Sequence, residues 1–400
     1  MKPLGMKAVL KSRKILLGVT GSVAVYKAVE LTRRLTEEGA AVHVVMTDAA
    51  RNFVTPLTFE VVSRNKVSID LFADPMSHIS LASDADLFVL APATANSIGK
   101  FANGIADDLL STCMLSFRGP AVIAPAMNWR MYENPVFRKN LDYLLSQGFF
   151  RVGPEQGSLA CGEEAVGRMA DVQDIMETIR SALSRKDLAG RKVVVTSGAT
   201  REYLDPVRFI SNRSSGKMGY AIARAAARRG AKVTLISGPT QITPPGSAEI
   251  ISIETASELR EAVLGNLHCD ALVMAAAVAD FTPVRKSDRK IEKADGLRLE
   301  LAKTPDILSE VGAMRRRPVL VGFSAETGPH LERAEQKGRK KGVDIMVFNN
   351  VISPGSGFDV DTNEITIIEK DGMTSLPLLS KDEAADAILD KISHLFEFIS

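Results

Sequence analysis

From Lys192 to Gly219 the chain reads KVVVTSGATREYLDPVRFISNRSSGKMG. The run Lys192 to Thr196 is apolar and β-branched, as a buried strand requires, and a helical pattern occupies the far side and stops at Gly230. A strand, a glycine-bearing loop and a helix in that order form the repeating unit of a parallel sheet. The loop itself is rich in glycine, small hydroxyls and fixed charge. Small residues let a backbone approach a phosphate, and N–H groups at a helix start favour its negative charge. Arg201, Arg208, Arg213 and Lys217 can add mobile counter-charge. The stretch therefore suits a nucleotide triphosphate. It matches neither the dinucleotide pattern G-x-G-x-x-G nor the P-loop pattern, so generic motifs leave the ligand open.

The same grammar extends in both directions. Downstream, Lys232 to Ser237, Ala271 to Ala275, Pro318 to Phe323 and Asp344 to Phe348 read as further strands. Thr255 with Glu258, and Ser380 with Glu383, have capping-box spacing. Glu364 to Ile368 and Thr374 to Leu378, joined through Lys370-Asp371-Gly372, read as a small hairpin. Residues Phe281 to Gly296 are polar and lack apolar periodicity, which predicts a mobile surface loop where a lid can sit.

Upstream, Lys14 to Val19, Val42 to Met46, Leu87 to Ala91 and Ala121 to Ala124 read as strands, with helices over Val23 to Glu38, Thr94 to Phe101 and Asn134 to Gln147. A helix from Asp171 to about Arg185 leads into KDLAG, placing a domain boundary near Ser184 to Arg191. The predicted fold class is α/β, with two Rossmann-like doubly wound domains, 1–190 and 191–400.

At 400 residues, with 45% hydrophobic and 24% charged side chains, the chain can bury two cores. A net charge of +2, with Lys and Arg spread along the chain, argues against nucleic acid as a partner. No apolar run reaches membrane-span length and the N-terminus lacks a signal-peptide core, so no membrane partner and a cytoplasmic location are expected. Cys113, Cys161 and Cys269 are too scattered for a disulfide framework or a structural zinc site.

Several upstream positions carry chemistry. Gly21-Ser22 sits between a strand and a helix, where backbone N–H groups and a hydroxyl can hold a phosphate or simply form a turn. His78 is a lone histidine, a residue type that can act as a base near neutrality. Asn128, in PAMN, offers an amide that both donates and accepts. Cys161, between Gly157 and Gly162, fits a flexible flap carrying a proton-donating thiol, whereas Cys113 and Cys269 lie in apolar surroundings and read as inert.

SGATREYLDPVRFISNRSSGKMG closely resembles the ligase half of the bifunctional phosphopantothenoylcysteine decarboxylase/phosphopantothenate–cysteine ligase family of coenzyme A biosynthesis. GSVAVYK (Gly21 to Lys27), APATANSIGKFANGIADDLL (Ala91 to Leu110), PAMNWRMY (Pro125 to Tyr132) and ACGEEAVGRM (Ala160 to Met169) resemble its flavin-dependent decarboxylase half. The resemblance spans nearly the whole chain beyond Met1 to about Arg13. It implies a flavodoxin-like FMN domain followed by a CTP-binding ligase domain. The expected reaction joins cysteine to 4'-phosphopantothenate through an acyl-cytidylate, then decarboxylates the product to 4'-phosphopantetheine.

Residue by residue, the resemblance implies FMN phosphate contacts at Gly21, Ser22, Thr47 and Thr94, and decarboxylation by His78, Asn128 and Cys161. In the ligase half it implies Asn212 for the acyl intermediate and Ser214, Ser215, Gly216 and Lys217 near the phosphates. Asp280 would serve CTP and Mg2+ (or Mn2+), if need be through water. Met274, Ala275, Ala276, Pro305, Asp306, Ile307, Leu308, Phe323, Lys337 and Lys341 fall on the remaining CTP contacts. Lys290 matches the lid lysine, though Glu292 stands where the family often has lysine. The resemblance also implies decarboxylase trimers and ligase dimers combining into a dodecamer. Two competing readings are a flavin domain with different work, such as prenyl transfer, and a regulatory relative that has lost catalysis. The presence of Cys161, His78 and the attached ligase segment weighs against both.

Overall fold

A computed structural model describes residues 9–158, 162–293, 297–328, 330–353, 355–357 and 359–399. The chain folds as two compact units, Met1–Ser184 and Arg185–Ser400. Arg185 to Gly190 fold with the second unit, because Leu188 is fully buried there and Asp187 pairs with Arg229 at 2.5 Å.

The first unit runs β1 (Lys14–Val19), α1 (Val25–Glu37), β2 (Ala41–Met46), α2 (Asp48–Arg51), α3 (Pro56–Ser63), α4 (Ser77–Asp84), β3 (Leu87–Ala93) and α5 (Ala95–Ala102). It continues with α6 (Leu109–Ser116), β4 (Ala121–Pro125), α7 (Trp129–Tyr132), α8 (Pro135–Ser146), β5 (Phe150–Arg151), β6 (Glu155–Ser158), β7 (Glu164–Arg168) and α9 (Val172–Leu183). The sheet order is β2-β1-β3-β4-β5, all parallel. Alternate strand residues feed opposite faces: Ile15, Leu17 and Val89 join one core, and Leu16, Phe88 and Leu90 the other. Helices cover both faces, which is why the strands read as near-continuous apolar runs. Strands β6 and β7 form a separate antiparallel hairpin around the segment that reads as structureless in the sequence.

The second unit runs β8 (Lys192–Ser197), β9 (Arg201–Tyr203), β10 (Phe209–Ser211), α10 (Lys217–Arg228), β11 (Lys232–Ser237), β12 (Glu249–Ser252), α11 (Ala256–Gly265), β13 (Ala271–Met274), β14 (Phe281–Pro283) and β15 (Leu301–Lys303). Then come α12 (Ile307–Gly312), β16 (Val319–Glu326), α13 (Leu331–Lys341), β17 (Ile345–Asn350), β18 (Thr362–Asn363), β19 (Ile365–Glu369), β20 (Gly372–Ser375), β21 (Leu379–Ser380) and α14 (Lys381–Ile399). Its main sheet is ordered β12-β11-β8-β13-β16-β17-β19-β20. The first six strands are parallel; β19 and β20, the expected hairpin, extend the sheet antiparallel.

Both units thus have Rossmann-like α/β architecture. In each the chain winds one way from a central strand and then the other. Such sheets place ligands outside the carboxyl ends of the strands where the winding reverses. That point lies between β1 and β3 in the first unit and between β8 and β13 in the second. Among the described residues, no helix is long and apolar enough to cross a membrane.

Candidate functional site

In the first unit the parallel register forces every strand's carboxyl end to one edge, and the expected flavin positions all follow those ends. Gly21 and Ser22 follow β1, Thr47 caps α2 after β2, Thr94 caps α5 after β3, and Asn128 caps α7 after β4. Thr94 Oγ1 accepts from the Ser97 N–H at 3.4 Å, and the Asn128 side chain accepts from the Arg130 N–H at 3.0 Å. Thr20, which sequence reading passes over, ties the two central strands together. Its buried hydroxyl donates to the Pro92 carbonyl at 2.6 Å and accepts from the Thr94 N–H at 3.2 Å. A Cβ on Gly21 would meet the Ala49 Cβ at 2.6 Å, so only glycine lets this turn pack against α2.

His78 lies in α4, and among the described residues its Nδ1 is buried without a hydrogen-bond partner, as is the Ser77 Oγ beside it. Buried polar atoms without partners mark places where a ligand or second molecule completes the bonding. Cys161 lies outside the described residues. The other two cysteines are inert by environment: burial pushes the Cys113 thiol up to about 12 and the Cys269 thiol up to about 11. The GSVAVYK and ACGEEAVGRM segments meet through Lys27, whose ammonium donates to the Met169 carbonyl at 2.9 Å and to Asp171 at 2.7 Å.

In the second unit one cleft of about 790 Å³ opens where the winding reverses. Asn212, Ser214, Ser215, Gly216 and Lys217 line it from the loop and first turn of α10. Met274, Ala275, Ala276 and Asp280 line it from the end of β13, Pro305 to Leu308 from the start of α12, and Phe323 from β16. Lys337 and Lys341 reach it from the last turns of α13. Gly216 has φ +79, and a Cβ on Gly219 would fall 2.5 Å from the Ser197 side chain, so this turn needs both glycines. Asn212 donates to the Val278 carbonyl at 2.7 Å. The Ala276 N–H donates to Thr196 Oγ1 at 3.1 Å, cross-linking β8 and β13 at the mouth.

Three of the cations lining this cleft are ion-paired, and Arg201 and Arg208, expected beside them as mobile counter-charge, are not among its lining residues. Lys217 pairs with Asp361 at 2.7 Å, Arg213 Nε with Asp359 at 2.7 Å, and Lys341 with Asp306 at 2.9 Å. Arg201 lies 4.7 Å over the Phe209 ring, and Arg208 closes on the fully buried Asp205 at 2.6 Å. Burial alone would raise the Asp205 carboxyl, but the Arg208 guanidinium and the N–H groups of Val207, Ile291 and Arg208 hold it well below the usual range. For Asp306 too, burial is outweighed by Lys341 and Ser309, and the carboxyl is lowered.

Lys290 stands apart from the cleft. It is exposed, and the Arg208 Nη2 bond to the Ile291 carbonyl at 2.6 Å and the Ile291 N–H bond to Asp205 at 3.1 Å anchor the next residue. The loop expected from Phe281 onward opens as strand β14, paired with β15. Sequence reading also missed Lys381, Asn349 and Asn363, which line the cleft beside α10. Lys381 is buried, donates to the Gly357 and Val360 carbonyls, and has its ammonium pushed down first by burial and then by Lys217. Its only local signal is the Ser380 and Glu383 cap beside it.

The chain matches a family model described as Flavoprotein over residues 6–184 and one described as DNA/pantothenate metabolism flavoprotein C-terminal domain over residues 188–396. It is 45% identical to the coenzyme A biosynthesis bifunctional protein CoaBC of Bacillus subtilis, over 96% of this chain and 98% of that protein. Identity to the CoaBC of Escherichia coli K12 is 43%, over 96% and 97%. A solved C-terminal domain of CoaBC is 39% identical, covering 53% of this chain and 98% of that one, with a TM-score of 0.46. An FMN-dependent cysteine decarboxylase, SpaF, is 32% identical over 44% and 97%, with a TM-score of 0.39. Two matched domains in this order and near-complete coverage at such identity place the chain in the family of bifunctional coenzyme A biosynthesis proteins CoaBC.

Proposed function

We propose that the second unit ligates cysteine to 4'-phosphopantothenate with CTP and that the first unit decarboxylates the product with FMN. The observation that carries the ligase reading is the cleft at the β8/β13 reversal, which gathers loop hydroxyls, the start of α10 and lysines from α13 around one volume. A carboxylate cannot acylate an amine in water unless activated. The phosphopantothenate carboxylate attacks the α-phosphate of CTP, pyrophosphate leaves, and the cysteine amine displaces CMP from the acyl-cytidylate. Ser214 to Lys217 take the phosphates, Asn212 the acyl intermediate, and Lys337 and Lys341 the far end of the nucleotide. Asp280 is an exposed carboxylate at the cleft. It suits Mg2+, which binds through one or two carboxylates plus substrate phosphates and keeps several waters. Lys290 enters from the lid once Asp205 and Arg208 release the Ile291 backbone.

In the first unit, Gly21, Ser22, Thr47 and Thr94 would hold the FMN phosphate. The partnerless Nδ1 of His78 and the glycine-only turn at Gly21 fit such a group. When bound, flavin supplies reversible two-electron oxidation of the substrate thiol, which creates the electron sink that loss of carbon dioxide needs. His78 takes the thiol-side proton, Asn128 holds the carboxylate or amide, and Cys161 returns a proton to the enethiol. Exposed apolar side chains on the first unit, Leu57 and Val61 on α3 and Phe72 at 83% exposure, support assembly of several copies. A dodecamer of decarboxylase trimers and ligase dimers accommodates that surface.

The test is mass analysis of products from the flavin-loaded protein given 4'-phosphopantothenate, cysteine, CTP and Mg2+, beside a Cys161→Ser variant. 4'-Phosphopantetheine is expected from the unsubstituted chain and an enethiol two hydrogens lighter from the variant. Absence of any cysteine adduct with CTP would refute the ligase reading. Adduct without carbon dioxide loss would refute the decarboxylase reading.

A further inference from the structure

One contact in the first unit joins two segments that the decarboxylase reading uses separately. The Trp129 indole N–H donates to the Glu163 carboxylate at 2.6 Å. Arg130 stacks 5.3 Å over the same indole and reaches the same carboxylate at 3.4 Å. Trp129 directly follows Asn128, and Glu163 stands two residues beyond Cys161. Asn128 is therefore tethered directly beside this bond, and Cys161 precedes Glu163 by two positions in the chain.

The contact is built rather than incidental. A half-buried indole N–H needs an acceptor, and a charge-assisted bond of this length is among the stronger ones a side chain makes. Strand β7 is docked on the Asn128 turn at its other end too: the Met127 N–H donates to the Gly167 carbonyl at 3.0 Å. A Cβ on Gly167 would come within 2.2 Å of the Met127 carbonyl oxygen. One end of the strand is therefore held by backbone contact that only glycine permits, and the other by the Trp129 and Glu163 side chains. The second attachment is the one that side-chain chemistry can tune.

We propose that Trp129 and Glu163, backed by Arg130, are positioning residues for decarboxylation, fixing the returning strand of the β6–β7 hairpin on the Asn128 turn. Their role rests on the decarboxylase reading above. Neither touches substrate; they act by setting where Asn128 and strand β7 stand relative to one another. A misplacement on the order of 1 Å costs about a hundred-fold in rate, and a partial loosening correspondingly less.

The experiment uses the full-length, flavin-loaded chain supplied with 4'-phosphopantothenoylcysteine, with Trp129→Phe, Glu163→Leu and Glu163→Gln compared with the unsubstituted protein. Trp129→Phe keeps the ring and removes only the donor; Glu163→Gln keeps an acceptor. Ligation in the second unit is measured in the same preparations as a control for folding. We expect kcat for carbon dioxide release to fall roughly ten-fold or more in Trp129→Phe and Glu163→Leu, with KM within about two-fold and ligation unchanged. Glu163→Gln should recover most of the rate. As Trp129 is the chain's single tryptophan, its emission should shift in Glu163→Leu and not in Glu163→Gln. Unchanged kcat in both disabling variants, a Gln variant as impaired as the Leu variant, or a loss explained by lost flavin would overturn the proposal. If the unsubstituted chain releases no carbon dioxide, the decarboxylase reading itself fails.

Discussion

Replacing Asp361 by asparagine should tighten CTP binding, against the usual expectation that removing an ion pair at a site weakens it. Lys217 holds two partners at the cleft, the Asp361 carboxylate at 2.7 Å and the Asp359 carbonyl at 2.9 Å. A phosphate arriving at the first turn of α10 must compete with them. The Asp361 side chain is 86% exposed and Lys217 34% exposed, so solvent screens the pair and it is worth about 0.2 to 1 kcal/mol. At about 1.4 kcal/mol per ten-fold, its removal lowers KM for CTP by roughly 1.4- to 5-fold, with kcat nearly unchanged. Lys217 holds the Asp361 carboxyl below its ordinary value, so the charge is present at neutral pH and lost only on acidification below the usual carboxylate range. The difference between Asp361→Asn and the parent should therefore be constant from about pH 6 to 8 and shrink as salt rises to about 0.5 M. Initial ligation rates at varied CTP read all three. A raised KM for CTP, or an effect on kcat alone, would refute the argument and make Asp361 a ligand-side group.

Changing Gly167 to alanine drives a Cβ into the Met127 carbonyl and should cost about 1 to 3 kcal/mol by overpacking, lowering the thermal midpoint and decarboxylation while ligation persists. Arg229, only 2% exposed, answers Asp187 at 2.5 Å and Asp390 at 2.8 Å. Arg229→Met takes the guanidinium away from Asp187 while Asp390 keeps Arg185, and should destabilise the second unit by about 3 kcal/mol in denaturant titration; a change below about 1 kcal/mol would sink that account. Because burial pushes the Cys113 and Cys269 thiols up, both should resist a maleimide at pH 8 in the native protein and react after denaturation. Peptide mapping would show modification of either in the folded chain if the reasoning fails.

Local chemistry in the sequence determined the elements that form both sheets and the loops that follow them. Apolar β-branched runs such as Lys192 to Ser197 can only be strands buried on two faces, and the glycines at Gly21, Gly216 and Gly219 can only be close-approach turns. Parallel pairing then carries those loops to one edge, which is why residues as distant as Asn212, Asp280 and Phe323 meet in one cleft. What the sequence could not determine was the state of the charges. Arg213 and Lys217 read as free counter-charge, and only the fold brings Asp359 and Asp361 against them from more than 140 residues away. Lys290 reads locally as part of a solvated charge run and is expected as a lid lysine only from the resemblance; Asp205 and Arg208 anchor its neighbour Ile291. Lys381, Asn349 and Asn363 carry no periodic signal, and they reach the cleft because the end of β17, strand β18 and the start of α14 come together beside α10. Periodicity is a property of neighbours along the chain; ion pairing and burial are properties of neighbours in space, and only the tertiary structure decides those.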